Sequence, residues 1–212
     1  MTITAAPPVL ATRILPRSRV ASAAAVIGFA ALTALAAQVS FRIPPIEVPF
    51  TGSTLAVLLA GGVLGSVKGA ASMSLYVLAG AIGLPVYAEQ GSGLDTLAGP
   101  TGGYLVGFVL AAVVVGRFAE RRWDRRVGTS ISGFTVGTVV IYLCGVLGLM
   151  INLGMSLSGA VLNGVLPFLL WDAVKAGGAG IAMPAAWRLA GEPPGTGRSG
   201  GATLRRRRIN RS

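Results

Sequence analysis

The sequence predicts an all-α integral membrane protein, a bundle of six transmembrane helices, and three observations carry that prediction. Of 212 residues, 53% are hydrophobic and only 12% charged, where soluble domains carry about a quarter charged residues. The apolar residues gather in runs of a length suited to a bilayer, separated by short polar or Pro/Gly-rich stretches. The basic residues, which leave a net charge of +11, cluster in alternate loops. Arg13, Arg17 and Arg19 precede the first run, Lys68 follows the second, and Arg117, Arg121, Arg122, Arg125 and Arg126 follow the fourth. Arg188, Arg198, Arg205 to Arg208 and Arg211 follow the last. The positive-inside rule then places both termini in the cytoplasm, which requires an even number of membrane crossings.

Residues 1–19 hold Pro7, Pro8 and Pro16 with scattered arginines, and are expected to form a disordered cytoplasmic tail. The first span, residues 20–41, is too long for the apolar core of a signal peptide. It ends before Pro44-Pro45, whose rings cannot continue a helix. Loop 42–52 contains Arg42, the one basic residue of the outward loops. The second span, 53–66, is short for a hydrocarbon core of about 30 Å; Lys68 and Gly69 mark the return. The third span, 70–87, has Pro85 in its last turn. Residues 89–103 form the longest outward loop, and its length invites a lid or binding role. The remaining spans are 104–119, 131–151 and 161–187, the last interrupted by Pro167. The transmembrane domain is thus 20–187, and 188–212 is a basic cytoplasmic tail. Its arginine run, 205–208, reads as a topology determinant facing the lipid surface, with no nucleic acid implied.

Histidine is absent and Cys144 is the only cysteine, so His/Cys metal sites, disulfides and His-based nucleophiles are excluded. No metal and no cofactor is expected, and no enzyme activity. No Gly-x-x-x-x-Gly-Lys-Ser/Thr motif occurs, so the chain does not itself hydrolyse ATP by a P-loop. Any energy for transport comes from a partner or a gradient.

Asp172 and Lys175 are ionisable groups inside a span, three residues apart on one helix face. Each charge at a bilayer centre costs about 2.5–3.5 kcal/mol on insertion scales. Three readings are open: a self-satisfied ion pair that fixes packing, a ligand site, or a proton relay, for which a second acid is lacking. Trp171, beside the acid, is a candidate for stacking on a ligand ring. Tyr87, Tyr104, Trp123 and Trp187 fall near span ends, as in an interfacial aromatic belt. The loop Leu97-Ala98-Gly99-Pro100-Thr101-Gly102-Gly103-Tyr104 either forms an anion-binding nest at a helix mouth or only satisfies tight backbone geometry. Small residues at Gly61, Gly65 and Gly69, Ala21 and Ala25, and Ala30 and Ala34 stand at the four-residue spacing that lets helices approach closely.

Residues 49–61 (PFTGSTLAVLLAG), residues 83–88 (GLPVYA) and residues 99–108 (GPTGGYLVGF) together resemble the BioY family, the biotin-specific substrate-binding subunits of energy-coupling-factor (ECF) transporters. The similarity covers roughly 30–187. It implies a six-helix bundle that captures biotin from outside, and association with a transmembrane coupling subunit and two ATPase subunits that drive its reorientation. The coupling subunit would dock on Ala21 and Ala25 or Ala30 and Ala34. The family's Asp-x-x-Lys falls on Asp172 and Lys175. In that reading Asp172 meets the ureido N–H groups, and Lys175 orients Asp172 or meets an oxygen of biotin. Tyr87, Glu89, Gln90, Thr101, Gly102, Tyr104 and Trp171 complete the substrate-binding set. A stand-alone, ion-driven biotin carrier is the alternative.

Overall fold

The computed structural model describes residues 9–191, apart from positions 17 and 45. Among the described residues the regular structure is helical, apart from one pair of two-residue strands. Nine α-helices follow in order: α1 Leu10–Ile14, α2 Arg19–Gln38, α3 Ser53–Leu64, α4 Ser66–Ala81, α5 Gly93–Leu97, α6 Gly102–Glu120, α7 Val127–Leu153, α8 Leu157–Gly164 and α9 Leu169–Leu189. Four stretches are long and apolar enough to cross a membrane: α2, α6, α7 and the α8–α9 run Leu157–Leu189. This is a multi-pass membrane protein.

The other two expected spans are shorter than expected. At 12 and 16 residues, α3 and α4 reach about 18 and 24 Å at 1.5 Å per residue. Helix α3 is almost wholly buried among α2, α4, α6 and α9, so its neighbours rather than lipid cover its ends. The corner between them is Gly65, not the expected Lys68 and Gly69; its φ of 84° suits glycine. Glu120 Oε1 accepts hydrogen bonds from Ser66 N (2.8 Å) and Ser66 Oγ (2.7 Å), satisfying the first turn of α4. Helix α4 stops at Ala81 instead of running to residue 87. Gly83, at φ 104°, turns the chain back so that Tyr87 packs over Gly80.

The expected disordered tail is corrected at residues 9–15. Val9, Leu10 and Ala11 are buried, Leu10 joins the cluster of Leu58, Phe134 and Met183, and Arg13 Nε donates to the Ala190 carbonyl (3.4 Å). Residues 1–8 and 192–212 lie outside the described residues. Trp187 is corrected from an interfacial position to a buried one, with 2% of its surface exposed. Its Nε1 donates to the Asp124 carboxylate, and the Arg125 guanidinium lies 4.3 Å from its ring centroid.

Glycines set how closely the helices meet. A Cβ on Gly103 would come within 2.3 Å of the Cys144 carbonyl oxygen, and one on Gly148 within 2.6 Å of Gly103 Cα. Helices α6 and α7 therefore touch backbone to backbone at one end of the bundle. At that same end Ser40–Phe41 pairs antiparallel with Phe50–Thr51, and the intervening loop folds over the helices.

Helix α2 is the least buried of the four long spans. Ala30 is buried and Ala34 packs on the core, while Ala21 and Ala25 are half-buried. The expected docking pair Ala30 and Ala34 is therefore turned inward, because residues four apart share the face that meets α3 and α4. The face left open carries Ala24, Ile27, Gly28, Ala31 and Leu35, and a Cβ on Gly28 would meet nothing within 4 Å.

Candidate functional site

A cavity of about 400 Å³ lies at the end of the bundle covered by loops 42–52 and 87–101. Val48, Tyr76, Leu105, Phe108, Ile141 and Phe168 give it largely apolar walls. Phe168 packs against Phe50 with ring centroids 4.3 Å apart and the rings tilted by 36°, so the strand pair and the break in the last span support each other.

The last span breaks where Pro167 predicts. Helix α8 ends at Gly164, a 3-10 turn spans Leu166–Phe168, and α9 starts at Leu169. Asp172 thereby falls in the first turn of α9, where the positive end of the helix dipole favours a carboxylate. It is 5% exposed. Its Oδ1 accepts from Lys175 Nζ (2.7 Å) and Thr54 Oγ1 (3.2 Å), and its Oδ2 from Tyr142 Oη (2.7 Å). Lys175 Nζ also donates to the Thr51 carbonyl (2.6 Å) and to Thr54 Oγ1 (2.9 Å). All three ammonium donors are thus engaged. Three of the roughly four acceptor positions of the carboxylate are filled, and one remains.

Of the residues singled out in the sequence, Asp172, Lys175, Tyr87, Glu89, Thr101 and Tyr104 line this cavity. Tyr87 and Tyr104 are buried rather than interfacial. Tyr87 Oη donates to the Val77 carbonyl (2.6 Å) and Tyr104 Oη to that of Gly164 (2.7 Å). Burial pushes the Tyr87 phenol above its ordinary pKa, which keeps it a donor.

Trp171, Gln90 and Gly102 are not among the lining residues. Trp171 precedes Asp172 by one position, a rotation of about 100° around the helix, and is 49% exposed. Its ring meets only the flank of the site, 5.6 Å from Lys175 Nζ. Gln90 N donates to Gln38 Oε1 (3.3 Å), part of a staple in which Gln38 Nε2 donates to the Tyr87 carbonyl (3.0 Å). The glycine-rich turn serves tight backbone geometry. A Cβ on Gly102 would lie 1.7 Å from the Leu97 carbonyl oxygen, and Gly102 N and Leu105 N already donate to Gly99 and Thr101 carbonyls. Asn152 Nδ2 clamps the turn through the Gly99 carbonyl (3.0 Å).

Thr54 and Tyr142 were not anticipated as site residues. Thr54 sits in a motif that the sequence does offer (residues 49–61), and Tyr142 is a lone hydroxyl in the middle of an apolar span. At the mouth, Arg42 Nη2 donates to Glu89 Oε2 (2.6 Å), both side chains being nearly half exposed. Glu47 and Asp95 also line the cavity.

Residues 10–192 match the model of the BioY family. The chain is 37% identical over 147 residues to the biotin transporter BioY of Thermotoga maritima, covering 69% of this chain and 84% of that protein. It is 40% identical over 148 residues to the probable biotin transporter BioY of Pyrococcus horikoshii, covering 70% and 85%. Its fold matches the crystal structure of the S-component for biotin from an ECF-type ABC transporter with a TM-score of 0.72, at 21% identity, over 80% of this chain and 92% of that one. With a family match that runs from α1 through the end of α9, the chain belongs to the BioY family.

Proposed function

We propose that the protein captures biotin outside the cell and carries it across the cytoplasmic membrane as the substrate-binding subunit of an ECF-type transporter. The observation that carries this reading is the buried Asp172–Lys175 pair, with Thr54 and Tyr142, at the floor of a cavity with largely apolar walls. About 400 Å³ is within the usual range for a small-molecule site. Biotin offers two ureido N–H donors and one carbonyl on an apolar bicycle, with a carboxylate at the far end of its chain. The open acceptor position of Asp172 suits a ureido N–H, and the Tyr142 oxygen offers a second. Lys175, with its donors engaged, acts by orienting Asp172. The names of the relatives, as biotin transporters and a biotin S-component, support the same ligand.

The relatives are named as transporters, and the protein is read as a carrier and not an enzyme. It crosses the membrane six times, with α3 and α4 completing the set, and keeps both termini in the cytoplasm. A transmembrane coupling subunit docks on the open face of α2 around Ala24, Gly28 and Ala31, and two ATPase subunits energise it.

Equilibrium binding of biotin to the purified chain tests the reading. Wild type should bind in the nanomolar range and Asp172→Ala at least about 100-fold more weakly, the loss of a charged hydrogen-bond acceptor in a buried site. Undiminished binding by that variant would remove the site. Uptake in a host without the coupling subunit and ATPases would instead favour an ion-driven carrier.

A further inference from the structure

The cavity lining contains two cations, Lys175 at the floor and Arg42 at the mouth. Lys175 has no donor to spare, because Thr51, Thr54 and Asp172 take all three. Besides Asp172 at the floor, three carboxylates, Glu47, Glu89 and Asp95, line the cavity. An anionic group brought to that rim meets repulsion from three acids and attraction from one guanidinium. Arg42 has five N–H donors in a planar fork, and the contact with Glu89 uses Nη2 alone.

Glu89 itself is held there with effort. Glu89 and Gln90 both adopt left-handed backbone angles, φ 56° and 58°, a conformation that costs non-glycine residues roughly 1 kcal/mol or more. Glu89 N donates to Ser40 Oγ (3.3 Å), so the loop segment is pinned against the strand that precedes Arg42.

Resting on the assignment of biotin as cargo, we propose that Arg42 is the specificity residue for the cargo's carboxylate. The Glu89 carboxylate takes one arm of the guanidinium. The cargo carboxylate uses the remaining donors of the fork, or displaces Glu89 from it, while the ureido ring rests on Asp172. Arg42 thus selects an acid-tailed ligand over a neutral one, and Glu89 competes with it.

The test compares biotin with biotinol, in which an alcohol replaces the carboxylate, on wild type, Arg42→Gln and Glu89→Gln, by equilibrium binding. Arg42→Gln is expected to weaken biotin about tenfold, as befits a charge-assisted hydrogen bond in a half-exposed setting, and to leave biotinol within about twofold. Glu89→Gln is expected to bind biotin as well as or better than wild type. Equal weakening of both ligands by Arg42→Gln would mean that the residue only latches two loops, and unchanged biotin binding would mean that it does nothing for the tail; either overturns the proposal. If wild type binds neither ligand, the biotin assignment itself falls, and the role of Arg42 with it.

Discussion

Two ion pairs bracket the cavity in opposite physical settings. Asp172–Lys175 is almost completely removed from solvent, closes at 2.7 Å and is cross-linked by Thr54, Thr51 and Tyr142. Arg42–Glu89 closes at 2.6 Å with nearly half of each side chain exposed. The distances are nearly equal and the consequences are not. Out of water, neither member of the floor pair is stable without the other, and every lone pair and N–H counts. At the rim, water stands in for whichever partner leaves. The floor pair is therefore fixed, and the rim pair exchangeable.

The largest effect that would break this contrast is expected from the floor. Asp172→Ala strands a buried ammonium and should destabilise the protein on the order of 3–5 kcal/mol, read as a fall in thermal midpoint in detergent. Asp172→Leu combined with Lys175→Met should recover much of that stability while binding stays absent. Recovery of binding by the double variant would show that the pair only packs the helix. Next in size, Tyr142→Phe removes a hydrogen bond to a charged acceptor, worth about 1.5–3 kcal/mol, and should weaken biotin roughly tenfold. A Tyr142→Phe protein with wild-type affinity would limit recognition to Asp172 and Thr54. The smallest effect belongs to the rim. Glu89→Gln should shift stability by less than about 1 kcal/mol, and the shift should vanish in high salt. A larger, salt-independent change would make the rim pair as structural as the floor pair.

Much of this was legible in the sequence, for identifiable reasons. The first and fourth expected spans agree with α2 and α6 to within three residues at each end. Asp172 and Lys175 stand out because lipid makes any buried charge conspicuous. Faces were harder. A helix that is apolar all round carries no phase, so nothing in the composition told that Ala30 and Ala34 look inward, or that Trp171 looks away from the site. Tyr87, Tyr104 and Trp187 resembled belt residues because position near a span end is all a sequence offers. Their burial depends on Gly80, Gly145 and Asp124, which approach them only in the fold. Helix α1 has five residues, too few for a periodic signal, and is held by contacts with α3 and α9 that are remote in the chain.

The backbone contact between α6 and α7 near Gly103 and Gly148 bears on how the cavity fills. Side chains between helices act as springs, since rotamers yield to an arriving ligand. Where main chain rests on main chain there is no spring, and two walls of the cavity share one stiff seam. Compliance is left to the pieces without such a seam: the hairpin between α2 and α3, and the segment from Tyr87 to Thr101. The cavity is a rigid cup with a softer rim, and any change in its volume falls on the rim.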